Sequence, residues 1–259
     1  MIILYFLIGF ISSVIGAMAG LGGGIIIKPV LDYVGHYDLE TIGVLSASTV
    51  MAMSTVTLVR IKTTKVKIDF KISLLIAVGS IVGGLIGKGV FNFYVVNLKL
   101  ADIVGAIQSG LLAFLLIIIY ASFKWNSHTP SYLIANKAII FSTGLILGLL
   151  SAFLGIGGGP LNVAVLVLLF SMTGKEVVIN STFIIFFSQL ASLLLVAFTT
   201  RYQGMDLSML PFMIIGGVAG GLIGNILLFK VSSKAIWGVF NFTILIIVLV
   251  NIYNLVKGL

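Results

Sequence analysis

Apolar residues in this chain do not alternate with polar ones; they run on in long tracts. No Asp, Glu, Lys or Arg interrupts Thr41–Val59, Ile72–Gly87, Ile103–Phe123, Ala138–Gly174, Val177–Thr200, Leu207–Phe229 or Ala235–Val256, and the first such tract is Ile2–Ile27. Roughly 20 apolar residues in succession let a helix cross a hydrocarbon core about 30 Å thick. A membrane β-barrel would instead show short segments with a period of two. The pattern predicts an all-α polytopic membrane protein embedded in the lipid bilayer.

Glycines break the first tract in "GAMAGLGGGIIIKPVL" (Gly16–Leu31), and "SAFLGIGGGPLNVAVL" (Ser151–Leu166) repeats the break. Three landmarks recur in order: Gly20-Leu-Gly-Gly-Gly24 with Gly155-Ile-Gly-Gly-Gly159, Ser48-Thr49 with Ser181-Thr182, and "GSIVGGLIG" at Gly79–Gly87 with "GGVAGGLIG" at Gly216–Gly224, at separations of 135, 133 and 137. Two tandem homologous halves of four hydrophobic tracts follow. Residues 1–125 hold tracts 2–31, 41–59, 72–92 and 100–123, and residues 126–259 hold 137–170, 177–200, 207–229 and 235–256. Duplicated membrane halves are typical of secondary transporters, with the substrate site between the repeats near mid-membrane. Ala17-Met18-Ala19 resembles a signal-peptide cleavage site, but no basic segment precedes it. The same segment has an internal copy at Asn136–Gly159, so the N-terminus is expected to be retained.

The tract 138–174 is too long for one ordinary crossing, so the first tract of each half is either re-entrant at its GxGGG motif or a single broken crossing. A re-entrant hairpin leaves three full crossings per half and makes the copies antiparallel; a broken crossing leaves four and makes them parallel. The loop Arg60–Lys71 carries five basic residues against Asp69, which places it in the cytoplasm. From that anchor the hairpin arrangement puts Arg60, Lys62, Lys65, Lys67, Lys71, Lys124, Lys137, Lys175, Lys230 and Lys234 inside, against Lys88, Lys99, Arg201 and Lys257 outside. The other arrangement is less asymmetric, so inverted repeats are favoured.

Composition narrows the function. The formal charge of +8 sits in short linkers between tracts, where orientation signals belong, so no nucleic-acid partner is expected. There is no cysteine to supply a disulfide, a nucleophile or a thiolate ligand. His36 and His128 sit in loops, and Asp69, Asp102, Glu176 and Asp206 at tract ends. A carboxylate proton relay, a metal site and a catalytic set therefore have no interior members, and neither catalysis nor a cofactor is expected.

A glycine cluster inside a membrane helix frees backbone N–H and C=O groups, which is tolerated only in protein-lined or hydrated interior. Where the helix restarts, unpaired N–H groups and the positive end of the helix dipole suit an anion. Gly20, Gly22, Gly23 and Gly24, with Gly155, Gly157, Gly158 and Gly159, are thus candidate substrate-binding positions through their main chain. Ser48, Thr49, Asn180, Ser181 and Thr182, mid-way along the second tract of each half, are candidate donors, although ordinary interhelical hydrogen bonds explain such residues equally well. Lys28, deep in a tract and matched by Val163, either attracts the anion or snorkels toward Asp32. Gln108, Gln189, Asn162, Asn225 and Asn241 are further polar candidates. The stripes Gly79, Gly83, Gly87 and Gly216, Gly220, Gly224 are read as helix-packing surfaces.

The two GxGGG segments, "SASTV" and "INSTF" after them, and the eight-tract length resemble the TauE/SafE family of sulfite-exporter-like permeases. That resemblance implies a transporter of a small sulfur-containing anion, such as sulfite, thiosulfate, sulfoacetate or another sulfonate, moved outward across the cytoplasmic membrane. The alternatives are a passive anion channel and a non-transporting membrane scaffold or lipid-handling protein. The sequence leaves the oligomeric state open.

Overall fold

The computed structural model describes residues 1–61, 64, 66–98, 101–125 and 134–258, with no strand among them. Lys62, Lys65, Lys99 and His128 lie outside the described residues, as do the side chains of Asp102, Lys124 and Lys257. The helices are α1 (Ile2–Ala19), α2 (Gly24–Val34), α3 (Leu39–Ile61), α4 (Phe70–Asn92), α5 (Ala101–Trp125), α6 (Lys137–Leu154), α7 (Gly159–Phe170), α8 (Gly174–Thr199), α9 (Leu210–Lys230) and α10 (Ser233–Gly258). A π-helical turn, Phe93–Asn97, continues α4. Eight of these helices are long and apolar enough to span a membrane. The exceptions are α2 and α7, with 11 and 12 residues, which reach only about 17 Å.

Each of the two short helices is the returning arm of a hairpin. Helix α1 stops at Gly20 and α6 at Gly155, both in the left-handed region at φ 70° and 68°. A glycine reaches that conformation without a Cβ clash, which is how many helices end. After the elbow the chain folds back along its own first arm. The Tyr5 hydroxyl near the start of α1 lies 2.9 Å from His36 Nδ1 just beyond α2, and the Tyr5 ring meets Tyr37 edge-on at 5.6 Å. In the second hairpin Ile134 N–H, ahead of α6, donates to the Leu169 carbonyl near the end of α7 at 3.4 Å.

Contacts between distant segments fix which helix ends share a face. The end of α2 meets the end of α10, where Tyr33 and Tyr253 rings lie 5.2 Å apart. On the opposite face the start of α8 meets the end of α9, where Lys175 Nζ donates to the Phe229 carbonyl at 3.0 Å. The start of α4 belongs there too, since Asn180 of α8 accepts from Asp69 N–H at 2.8 Å and from Ser73 Oγ at 2.6 Å.

The glycine stripes pack as expected. A Cβ on Gly79, Gly83 or Gly87 of α4 would lie 2.3, 1.9 or 2.4 Å from the carbonyls of Phe141, Leu145 and Leu149 on α6. On α9, Gly216, Gly220 and Gly224 approach Phe6, Phe10 and Val14 of α1 in the same way, at 2.5, 2.3 and 2.5 Å. Without a hydrophobic driving force between helices in lipid, backbone approach of this kind is what holds them together. Each close pair joins a helix from residues 1–125 to one from 126–259. Large side chains such as Ile3, Phe114, Phe198, Phe242 and Leu249 stay exposed on the outside, as suits a lipid-facing surface.

Candidate functional site

The two elbows meet. A Cβ on Gly159 would lie 1.6 Å from the Leu21 carbonyl oxygen, and one on Gly24 would lie 2.8 Å from that of Ile156. Leu21 and Ile156 occupy equivalent places in the two GxGGG motifs, so the contact is reciprocal. Gly20, Gly22, Gly23 and Gly24 are buried in it, as are Gly157, Gly158 and Gly159, whereas Gly155 is half-buried. Gly22, Gly157 and Gly158 have φ of 59°, 73° and 76°, a bend that L side chains resist. Pro160 follows at the start of α7, where its missing N–H is harmless, while Pro29 falls inside α2 and its carbonyl accepts from Asn254 Nδ2 at 3.1 Å.

Beside the elbows, most of the expected donors serve the protein. Thr49 Oγ1 donates to the Leu45 carbonyl and Thr182 Oγ1 to that of Val178, each within its own helix, at 2.7 and 2.8 Å. Ser181 Oγ donates across the halves to the Gly20 carbonyl at 2.6 Å, which caps α1. The Asn180 amide also donates to the Glu176 carbonyl at 2.9 Å, so both of its ends are engaged. Ser48 is half-buried on α3.

Lys28 is buried, and it does not snorkel outward. Its ammonium donates to the Leu154 carbonyl and to Gln108 Oε1, both at 2.5 Å. The Gln108 amide in turn donates to the Phe153 carbonyl. Leu154 ends α6, where last-turn carbonyls have no partner within the helix and the dipole favours a cation. Lys28 is therefore the cap of α6, as Ser181 is the cap of α1. Its counterpart Val163 occupies the matching place: it lies against Gly20 as Lys28 lies against Gly155.

An open space remains on one side of the elbow contact. A cavity of about 40 Å³, room for roughly three waters, is lined by α3 (Gly43, Val44, Ala47), α4 (Gly84, Leu85, Lys88), the second elbow (Ser151, Gly155, Gly157) and α8 (Ser188, Gln189, Ser192). Its lining extends from Gly157 toward the face where α4 ends, beyond Lys88, and α3 begins. Ser151 lines the cavity, and its Oγ, packed toward Gly158, is buried with no hydrogen-bond partner among the described residues. A Cβ on Gly157 would meet Gln189 Nε2 at 2.5 Å, so that amide reaches the elbow backbone. Lys88 Nζ lies 4.4 Å from the Phe91 ring centroid.

The cavity thus joins Gly155 and Gly157 of the second GxGGG segment, but not Gly158 or Gly159, to three residues of which only Gln189 is a site candidate from sequence. Lys88 reads as a charge at the outer end of its tract, and Ser151 carries no reading of its own. The first GxGGG segment, Ser48, Thr49, Asn180, Ser181 and Thr182 do not line it.

The sequence model of the family described as Sulfite exporter TauE/SafE matches residues 5–252. Among curated proteins, "Probable membrane transporter protein YunE" of Bacillus subtilis (strain 168) is 25% identical over 253 residues, covering 88% of this chain and 89% of that protein. No solved structure matches. An all-helical bundle with eight helices long and apolar enough to span a membrane, and a family match along nearly its whole length, make this chain a multi-pass cell-membrane transporter, not an enzyme, and a member of the TauE/SafE family.

Proposed function

We propose that this transporter moves a small sulfur-containing oxyanion, such as sulfite, thiosulfate or an organosulfonate, out of the cell, and that the anion docks in the cavity beside the second elbow. The observation that carries this reading is the lining: one small cavity brings together a cation, Lys88, a residue with an unpartnered hydroxyl, Ser151, and an amide, Gln189, beside glycine backbone. A dry scaffold has no use for such a set. Lys88 draws the anion, while neutral donors hold it without fixing a charge that would resist its release. With the cell interior negative, anion export is favoured by about 2.3 kcal/mol per charge per 100 mV, so no proton relay is required.

The same reading takes residues 1–125 and 126–259 as inverted copies. Support comes from the hairpins, which enter and leave on one face and leave three full crossings per half, and from matched packing of α1 on α9 and α6 on α4. With the basic segment Arg60–Lys71 in the cytoplasm, the cavity faces outward. The elbow contact is then the barrier, and rocking of the halves about it gives alternating access. The test is flux in proteoliposomes: Lys88→Met should cut saturable sulfite or thiosulfate efflux at least tenfold, and undiminished flux in a folded variant would overturn the assignment. Non-saturable flux without counter-transport would favour a channel instead.

A further inference from the structure

If the cavity is half of a path, something must form the other half. Resting on the reading above, we propose that the closed half lies between α1, α3 and α9, lined by Ser13, Ser54 and Asn225, and that it opens to the opposite face to pass the same small oxyanion through neutral hydrogen bonds.

Three observations meet at that junction. Ser13 Oγ, Ser54 Oγ and both amide atoms of Asn225 have no hydrogen-bond partner among the described residues, and all three side chains are 0% exposed. Buried polar groups normally find partners, so a cluster without them marks a place that is not always dry. Helix contacts put the three within about one and a half turns along α9. A Cβ on Gly220 would lie 2.9 Å from Ser13 Cβ, and one on Gly221 would lie 3.2 Å from the Cα of Met53, the residue before Ser54. Gly217 approaches the Thr49 carbonyl at 2.8 Å, so α3 and α9 run side by side in one direction, and one turn beyond Gly221 brings Asn225 level with Thr57.

The internal repeat supplies the third observation. The separation of 137 pairs Lys88 with Asn225, and the triplet α4, α6, α8 around the cavity corresponds to α9, α1, α3 here. The place that holds a cation in the open half holds an amide in the closed one. Arg60 lies in the last turn of α3, toward the opposite face. An anion drawn by Lys88 at one end would meet only neutral donors until it reached the level of Arg60. That arrangement lets it exchange between halves without a second buried cation to trap it.

The native chain has no cysteine, so single thiols report cleanly. Asn225→Cys, Ser54→Cys and, as the cavity reference, Ser151→Cys are reconstituted in vesicles sorted by orientation and exposed to a membrane-impermeant cationic thiol reagent. Expected is labelling of Ser151→Cys from the face carrying Lys88, and of Asn225→Cys and Ser54→Cys from the opposite face, the latter slowed at least threefold by sulfoacetate. If both junction thiols stay unreactive from either side while Ser151→Cys reacts, the closed half-path is wrong and the cavity stands. If Ser151→Cys is also unreactive in protein that melts cooperatively, the cavity reading falls as well.

Discussion

The carbonyl oxygen of Leu21 sits 1.6 Å from where a Cβ on Gly159 would be, and the carbonyl of Ile156 sits 2.8 Å from the Cβ position on Gly24. Each elbow rests its main chain on the glycine that restarts the other. A contact of this reciprocal kind is what a two-fold axis between similar units produces. It also explains why the motif demands glycine beyond the bend itself: Gly24 has an ordinary helical neighbourhood, yet any side chain there would strike the partner elbow.

Gly159→Ala should therefore be destabilising at or above the upper end of the roughly 1–3 kcal/mol that overpacking costs, because a backbone carbonyl cannot swing aside as a flexible side chain can. Gly238 on α10 has nothing within 4 Å of its Cβ position, so Gly238→Ala should be neutral or gain up to about 1 kcal/mol of helix propensity. Thermal melting of the detergent-purified proteins checks both, and equal melting temperatures would remove the elbow contact from the account.

The helix-packing stripes give a paired expectation. Gly83 faces the Leu145 carbonyl and Gly220 the Phe10 carbonyl, at 1.9 and 2.3 Å from the Cβ position. Alanine at either site should force α4 from α6, or α1 from α9, and lower stability by about 1–3 kcal/mol. Since the two interfaces share no residues, the double variant should lose the sum within about 0.5 kcal/mol. Denaturant unfolding in mixed micelles measures all three.

Asn180 ties the start of α4 to α8 through Asp69 N–H and Ser73 Oγ. Asn180→Leu leaves the buried Ser73 hydroxyl and the part-buried Asp69 N–H unpaired, which should cost about 1–3 kcal/mol for the former and less for the latter. Ser73→Ala added to that variant should recover part of the loss, because one orphan disappears. A double variant no more stable than Asn180→Leu would contradict the bond network.

Much of this architecture was legible in the sequence. Tract lengths mark the eight long helices, and three-glycine runs mark the elbows because nothing else in a membrane helix tolerates such a bend. The glycine stripes also name their own role through four-residue spacing. What stayed hidden has a physical reason in each case. Lys28 bonds to a carbonyl 126 residues away, and a main-chain acceptor leaves no mark on side-chain patterns. Thr49 and Thr182 turn back on their own helices, a choice of rotamer that composition does not reveal. Lys88 looks like an interfacial charge until α3, α6 and α8 are placed around it.

The two buried-side lysines should separate cleanly by experiment. Lys28→Met strips a cap from α6 and orphans Gln108 Oε1 and the Leu154 carbonyl, so stability should fall by about 1–3 kcal/mol per group. Lys28 lines no part of the cavity beside the second elbow, so the protein that remains folded should keep its apparent substrate affinity. Lys88→Met removes a cation from that cavity and breaks no hydrogen bond to the main chain, so its melting temperature should stay near wild type while the substrate concentration for half-maximal flux rises tenfold or more. Measuring melting and flux on the same preparations distinguishes structural from binding lysine. A Lys28→Met protein that melts normally but loses affinity would exchange the two roles.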